Sequence, residues 1–289
     1  PALILGLRLP ADRQHRLGQF DLRGAMLLTI SLISLALGLT IWKVTSIVDT
    51  IVFGVVGIAA GWLLLRHVRR VALPVLNVSL FRRPGYTPAT LTVLFSNLAM
   101  YTLLLSLPVF LARDVGWSSS QVGLLLAGLS LQMVVFSPVG GALSDRLGRR
   151  APALLGVTLL AAGVAPFAGI AAGWPWYAFL LPLIVVGIGL GLSSAPVQTT
   201  ALEAAPHGET GQAAGLFSTM RYLGSILGSA GMAAILSGSR PTIGEFRLLF
   251  AALLIAAILA IGAAARLPGP LKLGRPADFA PAPQQPTSD

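Results

Sequence analysis

The sequence predicts an all-α integral membrane protein with about eight transmembrane helices. Only 10% of its 289 residues are charged, and 55% are hydrophobic. A soluble domain usually carries about 25% charged residues. Apolar runs of about twenty residues, enough to cross a hydrocarbon core of ~30 Å, recur along the chain with basic residues between them. We therefore expect a lipid bilayer to surround most of the protein.

The basic character of the chain has a membrane explanation. A net charge of +10 would point to nucleic acid in a soluble protein. Here the arginines flank apolar runs, as in cytoplasmic loops, so we expect no nucleic-acid partner. There is no cysteine, which excludes disulfides and thiolate metal sites. His15, His67 and His207 stand far apart near predicted helix ends, and no Ser/His/Asp set appears, so neither a metal site nor an enzyme is expected.

The first part of the chain predicts a linker and a helix pair. The chain starts inside an apolar run, so residues 1–20 are interpreted as the end of a preceding helix and a basic cytoplasmic linker, not as a signal peptide. Residues 21–72 contain two spans, Leu22–Trp42 and Ile47–Leu65. Residues 73–87 include an apolar stretch too short to cross a bilayer, which we expect along the cytoplasmic surface.

Residues 88–266 predict a six-helix bundle. A Ser118-x-x-Gln121 capping box opens its second helix, and pairs of glycines are spaced for close contact between helices. The predicted spans are Pro88–Ala112, Ser118–Leu143, Ala151–Ala172, Trp176–Thr199, Thr210–Ser237 and Phe246–Ala265. The packing glycines are Gly187, Gly191, Gly211, Gly215, Gly224 and Gly228. Residues 267–289 are rich in proline and lack an apolar run, so we expect a disordered cytoplasmic tail.

The distribution of cations predicts the orientation. If the charged turn around Asp145 is cytoplasmic, fifteen arginines and lysines fall on the cytoplasmic side and four on the other, with Arg221 inside a span. Cytoplasmic loops carry an excess of Lys and Arg. The start of the chain and its carboxy terminus are then both cytoplasmic, in a multi-pass protein of the cell membrane.

The charged turn also carries a family resemblance. The stretch Gly141-Ala142-Leu143-Ser144-Asp145-Arg146-Leu147-Gly148-Arg149-Arg150 resembles a loop motif of the major facilitator superfamily. Three further stretches, which begin at Phe20, Pro74 and Gly211, resemble the fourteen-helix drug–proton antiporter branch. The resemblance implies a central helix pair in residues 21–72 and a carboxy-terminal bundle in residues 88–266. The amino-terminal bundle of the same transporter is missing.

The resemblance implies that this motif is a cytoplasmic gate. Its candidate residues are Gly141, Asp145, Arg146, Gly148, Arg149 and Arg150. Asp145 would pair with Arg149 one turn later, or meet the positive amino terminus of a helix in the opposite bundle. Gly141 would let that helix approach. The alternative is an ordinary cytoplasmic turn with a solvated ion pair that contributes 0 to ~1 kcal/mol.

Polar residues within the spans are candidates for a substrate cavity. Lipid offers no hydrogen bonds, so such residues either line a water-filled cavity or join helix to helix. The resemblance implies that the first, second, fourth and fifth helices of a bundle face the cavity. That selects Asn97, Tyr101, Gln132, Gln198 and Arg221, and helix-to-helix bonding remains an equal alternative for each.

The ionisable residues are placed unevenly. Counting back from Ser237 at ~1.5 Å per residue puts Arg221 roughly 24 Å from the outer edge and ~6 Å inside the cytoplasmic boundary. This depth is as consistent with a structural role, in which the Arg221 side chain reaches the membrane surface, as with a role in binding substrate. All ten acids fall at or beyond predicted span ends, so a proton-driven mechanism would need its titrating acid in the missing bundle.

The sequence thus predicts part of a secondary active transporter. We expect proton-coupled efflux of small amphipathic or hydrophobic substrates by alternating access, with the proton gradient as energy source and no cofactor. Two alternatives remain. One is a transporter of sugars or organic acids with the same fold, and the other is a truncated membrane protein that does not transport.

Overall fold

The computed structural model describes residues 21–41, 47–68, 70–71, 77–206, 208–236 and 241–269. The predicted helix end and linker in residues 1–20 lie outside these residues. Residues 270–289 of the predicted tail also lie outside them. The same is true of residues 72–76, most of which belong to the predicted surface segment. The division of the chain into domains therefore stays a prediction.

The described part of the chain is helical and contains no strand, which confirms the predicted fold class. Its long helices, numbered in chain order, are α1 (Leu22–Ile41), α2 (Ile47–Val68), α3 (Tyr86–Phe110), α4 (Ser119–Leu147), α5 (Arg150–Val164), α6 (Trp176–Glu203), α7 (Thr210–Ile235) and α8 (Ile243–Ala264). Short 3₁₀ helices occupy Val78–Arg82 and Ala165–Gly169, and a π-turn extends α3 over Leu111–Val115.

Six of these helical segments are long and apolar enough to cross a membrane, by length and composition. They correspond to α2, α3, α4, α5, α6 and α8. The apolar part of α1 is shorter, Leu22–Gly38. Helix α7 is rich in glycine and serine and carries Arg221, which lowers its hydropathy although its 26 residues would span ~39 Å. The eight predicted spans are thus present as helices, and six of them have the composition of independent spans.

The helices form a pair and a six-helix bundle. Helices α1 and α2 pack against each other, and the Ser31 hydroxyl donates to the Gly57 carbonyl at 2.9 Å. In the bundle, α6 packs against α4 and α5, and α3 packs against α7 and α8. We call the end where α4 passes into α5 the Asp145 end, and the opposite end, where α6 begins, the Trp176 end.

Apolar side chains fill both ends of the bundle. At the Trp176 end, Phe110 lies edge-on to Phe246 with ring centroids 5.1 Å apart, and Phe167 and Phe179 are also fully buried. At the Asp145 end, the buried Tyr86 donates its hydroxyl to the Ala213 carbonyl at 2.9 Å, which joins the start of α3 to α7. The apolar side chains at the two ends therefore pack the helices together above and below the middle of the bundle.

Four of the six predicted packing glycines lie in close helix contacts. A Cβ added at Gly187, Gly191, Gly224 or Gly228 would come within 3.0 Å of backbone atoms of α4 or α3. At Gly211 and Gly215 a Cβ would meet nothing within 4 Å, so the described residues form no close helix contact there. These two glycines lie in the first two turns of α7, on the exposed side of the helix and opposite the buried Ala213, which contacts Tyr86 of α3. Spacing alone predicts which glycines share a face, but not whether a neighbour covers it.

Several helix boundaries differ from the prediction, and two of the differences have a clear physical reason. Helix α4 continues to Leu147, so Asp145 and Arg146 are helical residues and not part of a loop. It ends at Gly148, whose φ of 79° is readily adopted by glycine alone. Helix α5 ends at Val164, because Pro166 turns the chain into a 3₁₀ helix. The predicted capping box of α4 is present, with Ser118 accepting from the Gln121 backbone N–H.

Candidate functional site: a polar cavity and a charged helix junction

A polar cavity of about 300 Å³ lies in the bundle between α3, α6 and α7, with one residue from α4. The four helices are the first, second, fourth and fifth of the bundle, the set that the sequence led us to expect. The lining residues are Thr92, Val93, Ser96, Asn97, Met100, Tyr101, Met133, Leu190, Ser193, Ser194, Val197, Gln198 and Arg221.

Helical periodicity places these residues on one face of each helix. The lining positions on α3 run from Thr92 to Tyr101 in pairs four residues apart, and those on α6 run from Leu190 to Gln198 with spacings of three and four. Side chains at these spacings project from the same side of a helix. Both stripes combine hydroxyl or amide groups with apolar side chains, so the cavity wall is mixed.

Half of the polar side chains in the wall are hydrogen-bonded to their own helix. Thr92 donates to the Pro88 carbonyl at 2.7 Å, Ser193 donates to Gly189 at 2.9 Å, and the Asn97 amide donates to Val93 at 2.9 Å. Ser96 differs, because the residue is 5% exposed and its hydroxyl has no hydrogen-bond partner in the part of the chain that the structure describes. A buried hydroxyl without a partner is destabilising.

Arg221 is a positively charged residue of the cavity wall. Its Nη2 donates to Gln198 Oε1 at 3.5 Å, and its guanidinium carbon lies 5.3 Å from the centroid of the Phe217 ring. Gln198 precedes the end of α6 at Glu203 by five residues, or about 8 Å along the helix. Arg221 therefore lies one to two turns below the Asp145 end.

The structure brings together four of the five candidate cavity residues. Asn97, Tyr101, Gln198 and Arg221 line the same cavity, whereas Gln132 does not. Gln132 faces the contact between α4 and α6, where a Cβ at Gly187 would lie 2.9 Å from Gln132 Cβ. Its neighbour Met133 lines the cavity instead, because successive residues on a helix point about 100° apart.

The sequence reasoning also missed several lining residues. Ser96, Ser193 and Ser194 belong to the cavity wall but were not among the candidates. Small hydroxyl residues are common in membrane helices because they bond to the preceding turn, so their presence alone carries little information. Only Ser194 lies one helical turn, four residues, from a candidate, Gln198, so spacing from the candidates was a signal for that residue alone.

The charged motif forms a junction between three helices at the Asp145 end. Arg149, between α4 and α5, makes an ion pair with Glu203 at the end of α6. Partial burial lowers the pKa of the Arg149 guanidinium, and the nearby Asp145 carboxylate opposes that shift. The expected contact of Asp145 with Arg149 is therefore electrostatic only, since the ion pair that the structure forms is with Glu203. Asp145 itself is exposed.

A second cavity of about 550 Å³ lies at this junction. Of the gate candidates, Asp145, Arg146, Gly148 and Arg149 line it, while Gly141 and Arg150 do not. A Cβ at Gly141 would make only ordinary contact, 3.9 Å from Ala195, whereas at Gly140 it would meet the Leu192 backbone within 3 Å. Within the described bundle the close helix approach is thus made by Gly140, and Gly141 is available to a neighbour on the other side.

Two other polar contacts connect helix ends. Asn77 donates its amide to Glu209 Oε2 at 2.8 Å, which holds the 3₁₀ segment against the start of α7. His67 Nε2 and Asp21 Oδ1 are 2.7 Å apart and join the end of α2 to the start of α1. The carboxylates of the described residues all lie in first or last helical turns or beyond them. No group of three or more His, Asp or Glu side chains in that part of the chain could hold a metal ion.

Comparison with known proteins gives consistent matches. The family model of the Major Facilitator Superfamily matches residues 22–228 and 89–288. An uncharacterized MFS-type transporter of Bacillus subtilis, YvkA, is 30% identical over 84% of this chain and 53% of its own length.

Two relatives are described as resistance proteins. The multidrug resistance protein Stp of Mycobacterium tuberculosis is 29% identical over 82% of this chain and 45% of its own length. The quinolone resistance protein NorB of Staphylococcus aureus is 28% identical over 79% of this chain and 50% of its own length. The chain spans about half the length of the curated relatives it matches.

Proposed function

Because the chain belongs to the major facilitator superfamily, we propose that it forms the carboxy-terminal portion of a transporter that exports small amphipathic or hydrophobic compounds. An amino-terminal six-helix bundle would be its partner, and the cell membrane its location, with both ends of the chain cytoplasmic. The protein is a multi-pass membrane transporter by family and not an enzyme. The substrate class, the coupling ion and the orientation are parts of the proposal.

The observation that carries the proposal is the polar cavity between α3, α4, α6 and α7. An otherwise apolar bundle gathers Asn97, Tyr101, Gln198 and Arg221 around one space of about 300 Å³. Polar side chains within a membrane are stable only where they find partners or water. Transporters place such sites between two bundles that rock against each other. The cavity therefore fits the part of a substrate site that this bundle would contribute, with the partner bundle contributing the rest.

The Asp145 end supplies a candidate gate. The ion pair between Arg149 and Glu203 links the junction of α4 and α5 to the end of α6, and exposed Asp145 and Arg146 remain available to a second bundle. We propose that contacts from this end close the cytoplasmic side in one state of the cycle. The described residues place no carboxylate in the cavity, so proton coupling would use an acid in the partner bundle.

The relatives favour efflux of drugs over uptake. Two similar proteins are described by their names as multidrug and quinolone resistance proteins. A transporter of organic acids is the second candidate, since Arg221 could hold an acid. Both candidates use the same cavity, and they differ in the compounds that compete for it.

The test is dye accumulation in a drug-sensitive bacterium that expresses the complete transporter containing this segment. We expect lower accumulation of an amphipathic fluorescent dye, restored by a protonophore. Asn97→Ala and Gln198→Ala should raise accumulation, whereas Ile258→Ala, on the exposed side of α8, should not. Unchanged accumulation of all dyes, or uphill efflux by the present segment alone, would contradict the proposal.

A further inference from the structure

We propose that the cavity binds the anionic group of an amphipathic organic substrate, such as a carboxylate, and that Arg221 is its binding residue. This inference rests on the proposed transport function and names the class of compound. Arg221 is the sole charged side chain among the described residues that line the cavity. Although Arg221 lies only one to two turns from the Asp145 end, within reach of the surface, its guanidinium donates to Gln198 in the cavity wall.

The Arg221 guanidinium has hydrogen-bonding capacity that the described residues do not use. It has five N–H donors, and its one hydrogen bond to a side chain, to Gln198 Oε1, is long at 3.5 Å. The ion pairs of His67 with Asp21 and of Arg149 with Glu203 do not include Arg221. The carboxylates of Glu203 and Glu209 are bonded to Arg149 and Asn77. A ligand carboxylate can therefore accept two parallel hydrogen bonds from the guanidinium.

Ser96 is a second and independent indication of a ligand. Ser96 is a residue of the same cavity wall, and its hydroxyl is buried and has no hydrogen-bond partner among the described residues. The other hydroxyls nearby, Thr92, Ser193 and Ser194, donate to carbonyls of their own helices. An anionic ligand supplies the acceptor that Ser96 lacks, because a carboxylate accepts several hydrogen bonds at once.

The remaining wall fits the apolar body of such a compound. Val93, Met100, Met133 and Leu190 line the cavity, and methionine adapts to ligands of different shape. A volume of about 300 Å³ lies at the lower end of the range of small-molecule sites. An organic cation would instead be repelled by Arg221, since charges interact strongly where the walls have a low dielectric constant.

Binding to the whole chain in phosphatidylcholine nanodiscs tests the inference. We choose three naphthalene probes of similar size that differ in charge: 2-naphthylacetate, its methyl ester, and 2-(2-naphthyl)ethylammonium. Equilibrium dialysis, with the signal from empty nanodiscs subtracted, gives each affinity. We expect naphthylacetate to bind at least about tenfold more tightly than the other two, because hydrogen bonds to a charged group contribute that much or more.

The variants separate the role of the charge from that of packing. Arg221→Gln should remove the preference for naphthylacetate, and Arg221→Lys should keep part of it. Ser96→Ala should weaken naphthylacetate binding by a smaller factor while the preference persists. Arg266→Gln removes an exposed arginine outside the cavity and should bind like the wild type. Thermal unfolding of each variant establishes that it is folded.

Two results would overturn the inference. One is equal binding of the three probes to the wild-type chain, and the other is a preference that survives Arg221→Gln. Neither result touches the transport proposal, because a cavity that binds neutral compounds can still export them. The dye-accumulation test fails or succeeds separately.

Discussion

The Asp145 end and the polar cavity differ in how far their polar and charged side chains are paired with one another. At the Asp145 end, Arg149 is paired with Glu203 and Asn77 with Glu209. In the cavity, Arg221 has one long hydrogen bond, and the hydroxyl of Ser96 has none. Paired charges connect helix ends and stabilise one arrangement of the bundle. Unsatisfied groups reduce stability and are available to a ligand.

This difference separates the residues that maintain the fold from those that recognise a solute. Natural proteins often lose stability at their functional sites, where groups are held for a ligand and not for one another. Substitutions at the Asp145 end should therefore lower stability, whereas substitutions of the unsatisfied cavity groups should lower binding while stability stays the same or rises. The predictions below follow this contrast, from the largest expected effect to the smallest.

Gly224→Leu should have the largest effect, because it removes the close approach of α7 to α3 that forms one wall of the cavity. A Cβ at Gly224 would already lie within 3 Å of the Leu94 carbonyl oxygen, and overpacking costs about 1–3 kcal/mol or more. We expect a strong loss of folded protein, measured by size-exclusion chromatography after heating. Gly211→Leu is the matched control and should stay folded, since open space surrounds that position.

Glu203→Gln should lower stability by a smaller amount. It removes the partner of the half-buried Arg149, and exposed ion pairs contribute up to about 1 kcal/mol. We expect a fall in Tm of a few degrees in a thermal unfolding experiment. A double-mutant cycle with Arg149→Gln checks the cause, since the second substitution should add little once the first is made. Additive losses would mean that the two side chains do not act as a pair.

Arg221→Met should leave the Tm unchanged or raise it slightly, by an amount that corresponds to less than about 1 kcal/mol. The substitution removes a cation with one weak hydrogen bond and keeps most of the side-chain volume. The same thermal unfolding experiment measures it. A fall as large as that of Glu203→Gln would place Arg221 among the residues that stabilise the fold.

Gly211→Ala should have the smallest effect. Nothing lies within 4 Å of the added methyl group, and alanine is favoured over glycine in a helix by up to about 1 kcal/mol. We expect a Tm equal to or slightly above that of the wild type. A clear loss of stability would restore Gly211 as a packing glycine.

The sequence predicted the elements of the fold because apolar runs and charge clusters are local signals. All eight long helices of the described part lie within a few residues of their predicted positions. The ends were less predictable, because backbone hydrogen bonds carried α4 through Asp145 and Arg146 to Gly148. Contacts between helices that are distant in the sequence could not be predicted from local sequence patterns. The pairing of Arg149 with Glu203 and the outward placement of Gly211 depend on how α6 and α7 pack.

The cavity was predictable only in part for the same reason. Family resemblance named the four helices, and polarity selected Asn97, Tyr101, Gln198 and Arg221. A rotation of about 100° per residue separates Gln132 from Met133, and hydrophobic pattern does not fix which one faces inward when α4 is apolar on several sides. Ser96 became informative only when its missing hydrogen-bond partner was visible.

Cysteine accessibility tests the central claim, that the cavity is a polar site open to water and solutes. The chain has no cysteine, so Tyr101→Cys, in the cavity, and Ile258→Cys, on the exposed side of α8, each supply one thiol in nanodiscs. A water-soluble maleimide reacts with the thiolate, which forms only where water reaches the sulfur. We predict rapid labelling of Tyr101→Cys and little labelling of Ile258→Cys. Equal, slow labelling of both would contradict the claim.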